Sequence, residues 1–168
     1  MINRLKDLRE DKDLRQKDIA EILNEDRTTI AHYENGDIPL SIDKLCKLAD
    51  YYNVSTDYIM FLTDEEKIKD EIKINTDVKV IKTRIRQLRR IHNFNQEYLA
   101  NMIGIKQSAF SFYEQGARNM LVDDLIVFCN LFKVSLDFML FKTNNPEPYP
   151  ESKIKKYIEK MTKEKNGN

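Results

Sequence analysis

Two stretches of the chain, RTTIAHYENGDIPLSIDKL at residues 27–45 and QSAFSFYEQGARNMLVDDL at residues 107–125, carry side chains suited to directed contacts. Both contain Tyr-Glu-x-Gly behind a short run of small, apolar and hydrogen-bonding residues. The outward letters differ: Arg27, Thr28 and His32 in one stretch, Gln107, Ser108 and Phe112 in the other. These are groups that recognise a partner rather than make or break bonds. The sequence has no glycine-rich phosphate loop, no Ser or Cys paired with a recognisable base and no metal-ligand cluster, and four glycines leave little room for such loops. Neither His32 nor His92 has cysteine or acidic neighbours at ligand spacing. The acidic pair Asp123-Asp124 falls at a helix start, where capping explains it. The expectation is a binding protein, not an enzyme, with no cofactor and no metal.

A length of 168 residues suits one ordinary domain or two small ones, and a hydrophobic fraction of 41% is ample for a core. Cys46 and Cys129 are too far apart for a paired metal motif and too few for a disulfide framework, so they read as core residues of a protein in a reducing compartment. The opening MINRLKDLRE has no signal-peptide core, and no apolar run reaches the length of a membrane span. These features predict a cytoplasmic protein without a membrane partner. The net charge of zero hides a division along the chain. Residues 1–63 hold 9 Lys and Arg against 13 Asp and Glu, residues 64–79 hold 4 against 6, residues 80–143 hold 9 against 5, and residues 144–168 hold 6 against 4. Solvated helical faces account for this blandly; unequal engagement of an anionic partner is the sharper account.

The elements that position these residues emerge from an internal repeat. A shift of 80 aligns residues 4–63 with 84–143 without a gap, with 15 of 60 positions identical, among them Arg4/Arg84, Arg9/Arg89, Gln16/Gln96, Glu34/Glu114 and Asp57/Asp137. Each copy is too long for a stacking unit and occurs only twice, so this is a duplicated domain. Apolar spacing is helical throughout, which predicts an all-α fold with helices near 2–11, 16–23, 27–34, 42–51 and 56–62 and their counterparts 80 residues on, the sixth extended back to about Asp77. Asp13, Asn93, Asn24 and Gly104 are placed to break the chain, Gly36 and Gly116 to close the third helix of each copy, and Asp26 and Asn95 to cap helix starts. Thr63-x-x-Glu66 with Ile68 and Ile72 predicts a short linker helix within 64–79. After Pro146, Pro148 and Pro150, the stripe of Ile154, Tyr157, Ile158 and Met161 predicts an amphipathic C-terminal helix within 144–168. It has three fates: docking on the body, pairing two chains as a homodimer, or staying free.

Residues 16–34 and 96–114 thus form a helix, a tight bend and a second helix: a helix-turn-helix, whose second helix can enter the DNA major groove while the first crosses the backbone. Each copy resembles the lambda-repressor-like family of Cro and XRE regulators over about 60 residues. The likeness rests on Leu5/Leu8/Arg9 and Ile85/Leu88/Arg89, on Gln16 to Ala20 and Gln96 to Ala100, on Tyr-Glu-x-Gly, and on Val54 to Asp57 and Val134 to Asp137. The resemblance implies five-helix domains at 1–63 and 80–143 and a sequence-specific regulator of transcription, most simply a repressor, bound to double-stranded DNA. It maps phosphate anchoring to Gln16 and Gln96, recognition to Arg27, Thr28 and His32 and to Gln107, Ser108 and Phe112, and internal ion pairs to Arg9 with Glu34 and Arg89 with Glu114.

Two heads with different letters predict an asymmetric site: Arg27 on guanine, Gln107 on adenine and Phe112 against a thymine methyl, each worth about 1–3 kcal/mol of discrimination. A 16-residue connector would reach roughly 24 Å as a helix or about 53 Å extended, against about 34 Å between half-sites one turn apart. The copies are not equivalent. The first sets Glu25, Asp26 and Asp37 near the expected DNA face and has Arg15 where a cap is wanted; the second offers Arg84, Arg86, Arg89, Arg90, Lys106 and Arg118 as sources of phosphate affinity. The acidic first copy and the aromatic Phe112 also support a reading of another class, an antitoxin-like or anti-repressor module that docks a protein partner through its helix-turn-helix units.

Overall fold

The computed structural model describes residues 2–156 and is helical: α1 (Leu5–Glu10), α2 (Gln16–Leu23), α3 (Arg27–Asn35), α4 (Ile42–Tyr52), α5 (Thr56–Ile59), α6 (Ile85–Ile91), α7 (Gln96–Met102), α8 (Gln107–Gln115), α9 (Val122–Phe132) and α10 (Leu136–Met139). Each copy places its five helices in the same order. The breaks have the expected local origin. Asp13, Asn24 and Asn93 take left-handed backbone angles (φ 54°, 53° and 57°), as do Gly36 (73°), Gly104 (69°) and Gly116 (69°). Asn95 Oδ1 accepts from the Tyr98 N–H at 2.7 Å and caps α7. Asp26 makes no such bond at the start of α3, and at the start of α2 the Arg15 N–H instead donates to Asp18 Oδ2 at 2.7 Å. At Gly116 a Cβ would meet nothing within 4 Å, so Gly116→Ala pays only for the left-handed backbone. The expected loss is about 1 kcal/mol of unfolding free energy in urea titration.

Apolar residues at helical spacing converge in each copy. Leu5, Ile19, Ile30, Leu45, Leu48 and Ile59 fill the first core, and Ile85, Leu99, Phe110, Leu125, Phe128 and Met139 the second. Phe110 and Phe128 meet edge to face with centroids 5.7 Å apart. Their counterparts Ile30 and Leu48 are smaller, and there the first core retains a cavity of about 10 Å³ between Leu5, Ile19, Leu23 and Tyr33. Cys46 and Cys129 are buried free thiols, and burial pushes Cys46 up to about 12.

The two copies join face to face through equivalent surfaces. Ile42 N–H donates to Met120 O (3.3 Å) and Val122 N–H to Leu40 O (2.9 Å), flanking an antiparallel bridge between Ser41 and Leu121. Each partner in one bond lies 80 residues from its counterpart in the other, so the contact has the self-complementary form of a two-fold dimer interface, within one chain. At its centre the starts of α5 and α10 exchange side-chain bonds: Asp137 Oδ1 accepts from the Thr56 N–H (3.0 Å) and Oγ1 (2.6 Å), while Asp57 accepts from the Leu136 and Asp137 N–H groups (2.9 and 2.8 Å). Symmetry fails at Thr56, whose counterpart Leu136 has no hydroxyl to offer, and again at Lys142. Lys142 stands where the first copy has Leu62, is 1% exposed and reaches Asp50 at 2.7 Å.

Three further expectations need correction. Residues 64–79 contain no helix, and α6 begins at Ile85 rather than near Asp77. Thr63 Oγ1 accepts from Glu65 N–H (3.1 Å) in a local turn, and backbone groups that a helix would need are spent on the body: Glu66 O accepts from Ser55 N–H (2.6 Å), Ile72 N–H donates to Lys142 O (2.7 Å) and Lys69 O accepts from Thr143 Oγ1 (2.9 Å). A helix this short gains too little on its own to compete with such bonds. Second, α5 and α10 are single turns, because Phe61 and Phe141 go left-handed (φ 54° and 62°). Third, Arg84 and Arg89 are not available to phosphate. Arg84 is 7% exposed, lies over the Phe138 and Phe141 rings and donates to Thr143 O (2.8 Å) and Asn144 Oδ1 (2.7 Å); Arg4 does the same with Tyr58, Phe61, Thr63 and Asp64 in the first copy.

The tail returns across the joint. Ser152 N–H donates to Leu62 O (3.3 Å), its hydroxyl to Asp64 Oδ1 (2.7 Å), and residues 153–156 begin a helix with Ile154 exposed. Tyr157, Ile158 and Met161 lie outside the described residues.

Candidate nucleic-acid interface

In each copy one buried carboxylate organises the outward side chains. Glu34, with a side chain 3% exposed, accepts from Arg9 Nε at 2.6 Å and Nη2 at 3.1 Å, which ties α1 to α3. Its Oε2 also accepts from Gln16 Nε2 at 3.0 Å, and Gln16 Oε1 in turn accepts from Arg27 Nη1 at 3.2 Å. The second copy repeats the chain of bonds with a different last member. Arg89 Nε donates to Glu114 Oε1 at 2.6 Å, Gln96 Nε2 to Glu114 Oε2 at 2.7 Å, and Gln107 Nε2 to Gln96 Oε1 at 2.5 Å. Desolvation disfavours the Arg9 and Arg89 cations, but the bond to Glu34 or Glu114 outweighs it and holds each guanidinium above its ordinary value.

The ion pair therefore does more than pin two helices. It fixes the glutamine at the start of the second helix, and through it the first residue of the third, so that a fork of hydrogen-bonding groups stands ready before any ligand arrives. A pre-oriented fork loses less entropy on binding than free side chains would. Sequence reasoning assigned these residues separately and missed the continuous bond path. The signal was present: Gln16 to Arg27 and Gln96 to Gln107 share a spacing of eleven residues, across the same turn, in both copies.

Arg27, Thr28 and His32 are exposed along one side of α3, and Lys106, Gln107, Ser108 and Phe112 along the matching side of α8; Gln16 and Gln96 are half-buried behind them. Arg118 lies just past α8 with its guanidinium 5.6 Å from the centroid of the Phe112 ring, and Phe112 is 45% exposed. In the first copy His32 Nδ1 is 3.1 Å from Asp37 Oδ2. Glu25 pairs with Lys44 of α4, so its charge is compensated from within the domain. Asp26 stays exposed where the second copy has Lys106, and Asp37 faces solvent where it has Ala117. The second head is thus cationic around its forward helix, and the first is mixed.

Among the described residues no group of three or more His, Cys, Asp or Glu side chains could hold a metal ion, and no helix is long and apolar enough to cross a membrane.

Comparison with known proteins matches this geometry at the level of the family. The helix-turn-helix family matches residues 5–59 and again 85–139. The uncharacterized HTH-type transcriptional regulator YobD of Bacillus subtilis (strain 168) is 38% identical over 78 residues, which is 46% of this chain and 70% of YobD. The HTH-type transcriptional regulator AnsR of the same organism is 28% identical over 69 residues, 41% of this chain and 60% of AnsR. A crystal structure of a transcriptional regulator from Listeria innocua is 23% identical with a TM-score of 0.32, over 61% of this chain and 88% of that one.

Proposed function

The chain belongs to the helix-turn-helix family, which it carries twice, and from that membership we propose that it is a sequence-specific DNA-binding regulator of transcription whose two unlike heads read one asymmetric operator. The observation that carries this reading is the repeated bond path from Glu34 to Arg27 and from Glu114 to Gln107, which presents a guanidinium fork in one copy and an amide in the other on exposed helix starts. An Arg fork matches the acceptor pair of guanine, and a Gln amide matches the donor and acceptor of adenine. The self-complementary joint supports this reading, since two tethered heads would make the second binding event intramolecular and give one chain the avidity of a pair. Occupation of a promoter to exclude polymerase is the simplest mode of action, and the boundaries 1–63 and 80–143 are the units that take part.

Selection of bound duplexes from a random pool tests it. The expected result is one enriched site with two different halves. Arg27→Ala relaxes one half and Gln107→Ala the other, each at a loss of about 1–3 kcal/mol, or roughly tenfold to a hundredfold in discrimination. If nothing enriches even at low salt, the second reading takes its place, a module that docks a protein. Phe112 favours that alternative, an exposed aromatic capped by Arg118 where a base-reading helix ordinarily carries polar groups.

A further inference from the structure

The joint between the copies contains a buried pair of carboxyl groups that neither reading of the heads uses. Asp57 and Asp137 are 3% and 0% exposed, occupy equivalent positions in the two copies, and lie side by side. Two carboxylates in such a place cannot both be ionised at ordinary cost. Their hydrogen bonds are unequal. Asp57 Oδ1 accepts from Leu136 N–H and Oδ2 from Asp137 N–H, so both of its oxygens act as acceptors, the arrangement that suits an ionised carboxylate best. Asp137 Oδ1 accepts twice, from the Thr56 N–H and hydroxyl, and Asp137 Oδ2 is buried with no hydrogen-bond partner among the described residues. A bare carboxylate oxygen in that position carries a full desolvation penalty; a hydroxyl there has an acceptor beside it in Asp57.

We propose that the two copies are latched by a single buried proton, resident on Asp137 Oδ2 and donated to Asp57, so that the joint between the reading heads is a proton-linked lock. Other groups facing the pair modulate it without replacing it. From α9, Cys129 is a neutral thiol raised by burial; from α4, Cys46 is likewise neutral, and Asp50 is engaged by Lys142; from the segment after α10, the Lys142 ammonium favours ionisation of Asp137; from the tail, Tyr149 is held neutral by burial, with Asp137 and Asp57 beside it adding to that, and its hydroxyl is the competing donor to Asp137. Burial pushes the carboxyls of both members of the pair up, and further at Asp57, where the Asp137 charge adds to it; at Asp137 the bonds from Thr56 and the Lys142 ammonium act against it, and it is the unpartnered Oδ2 that places the proton there.

The sign follows from the raised values. The folded joint holds its proton more tightly than the unfolded chain, where Asp titrates near ~3.9. The stabilising effect is therefore complete in acid below that value, and it is lost as pH rises towards the folded pair's own titration, at up to about tenfold in the folding equilibrium per pH unit for one proton. Carboxylates held low by partners, such as Asp18 by Arg15 and Asp64 by Ser152, act in the opposite direction and only on the acid side.

The two aspartates predict opposite outcomes for the same substitution. Asp137→Asn keeps Oδ1 for Thr56 and places an amide N–H where the shared proton lies. Asp57→Asn puts an N–H against a backbone N–H and leaves a donor unpaired. Urea titrations of the full chain between pH 4.5 and 8 should show wild type losing stability with rising pH, Asp137→Asn matching it at pH 4.5 but losing the slope and exceeding it at pH 8, and Asp57→Asn weaker throughout. Carboxyl 13C shifts of wild type at pH 6 should place Asp137 in the protonated range and Asp57 in the ionised range. The proposal is overturned if both carbons report ionised groups, if the two variants behave alike, or if Asp137→Asn does not fold, since that variant retains every bond the lock assigns. None of these readouts depends on DNA.

Discussion

Replacing Arg89 by methionine is expected to lower the unfolding free energy by about 3–5 kcal/mol, because it leaves the buried Glu114 carboxylate without its cation. The Glu114 side chain is 2% exposed, and two nitrogens of Arg89 reach it at 2.6 and 3.0 Å. Gln96 would remain as its other side-chain donor, and a neutral amide does not offset a buried charge. Methionine keeps most of the stem's apolar packing, so the loss reports the ion pair rather than a hole. Arg86, exposed on the same helix, is the control, with an expected change within about 0.5 kcal/mol. Equilibrium urea denaturation separates the two. A loss below about 1 kcal/mol for Arg89→Met, the scale of an ordinary surface pair, would mean that Glu114 is stabilised by some other means and that the bond path to Gln107 has no anchor.

The second large effect concerns binding. On the regulator reading, the cationic face of the second head supplies most of the sequence-independent attraction, with Lys106 and Arg118 exposed on it. Reversing both to glutamate is expected to reduce affinity for the selected duplex at least about a hundredfold near 0.1 M salt, since it also removes the gain from two tethered heads binding together. The slope of log affinity against log salt should flatten by about two, close to one unit for each phosphate that is no longer neutralised. Fluorescence anisotropy across a salt series measures both. A large fall in affinity with an unchanged slope would place these side chains away from phosphate. The same pair of substitutions in a domain that docks protein would leave DNA binding absent before and after.

Much of this was legible along the chain. The offset of 80 is visible without structure, and the turns follow from residues that tolerate left-handed backbone, Asn24 and Gly104 between the paired helices and Gly36 and Gly116 after them. The linker was misread because Thr63-x-x-Glu66 is a local signal, and the competing bonds from Ser55, Lys142 and Thr143 come from parts of the chain far from it. The arginines failed for a related reason. Charge count cannot distinguish a guanidinium that meets solvent from one laid across two aromatic rings, although identity of Arg4 with Arg84, and of Phe61 with Phe141, pointed to a shared structural task. The motif Val-Ser-x-Asp was recognised but not its work. That an aspartate at the start of a short helix serves the other copy's helix is a property of the assembled joint alone.

One break in the joint's symmetry bears on which partner a copy accepts. Lys142 meets Asp50 only when a second copy faces a first copy. Two second copies face to face would set Lys142 against Asn130, the counterpart of Asp50, and bury an ammonium opposite a neutral amide; two first copies would offer Leu62 to Asp50. A cell that holds several proteins of this fold faces the hazard of mixed assemblies with scrambled binding preferences. Here the lysine rewards closure within one polypeptide, so the outward faces of α3 and α8 can diverge by mutation independently of one another.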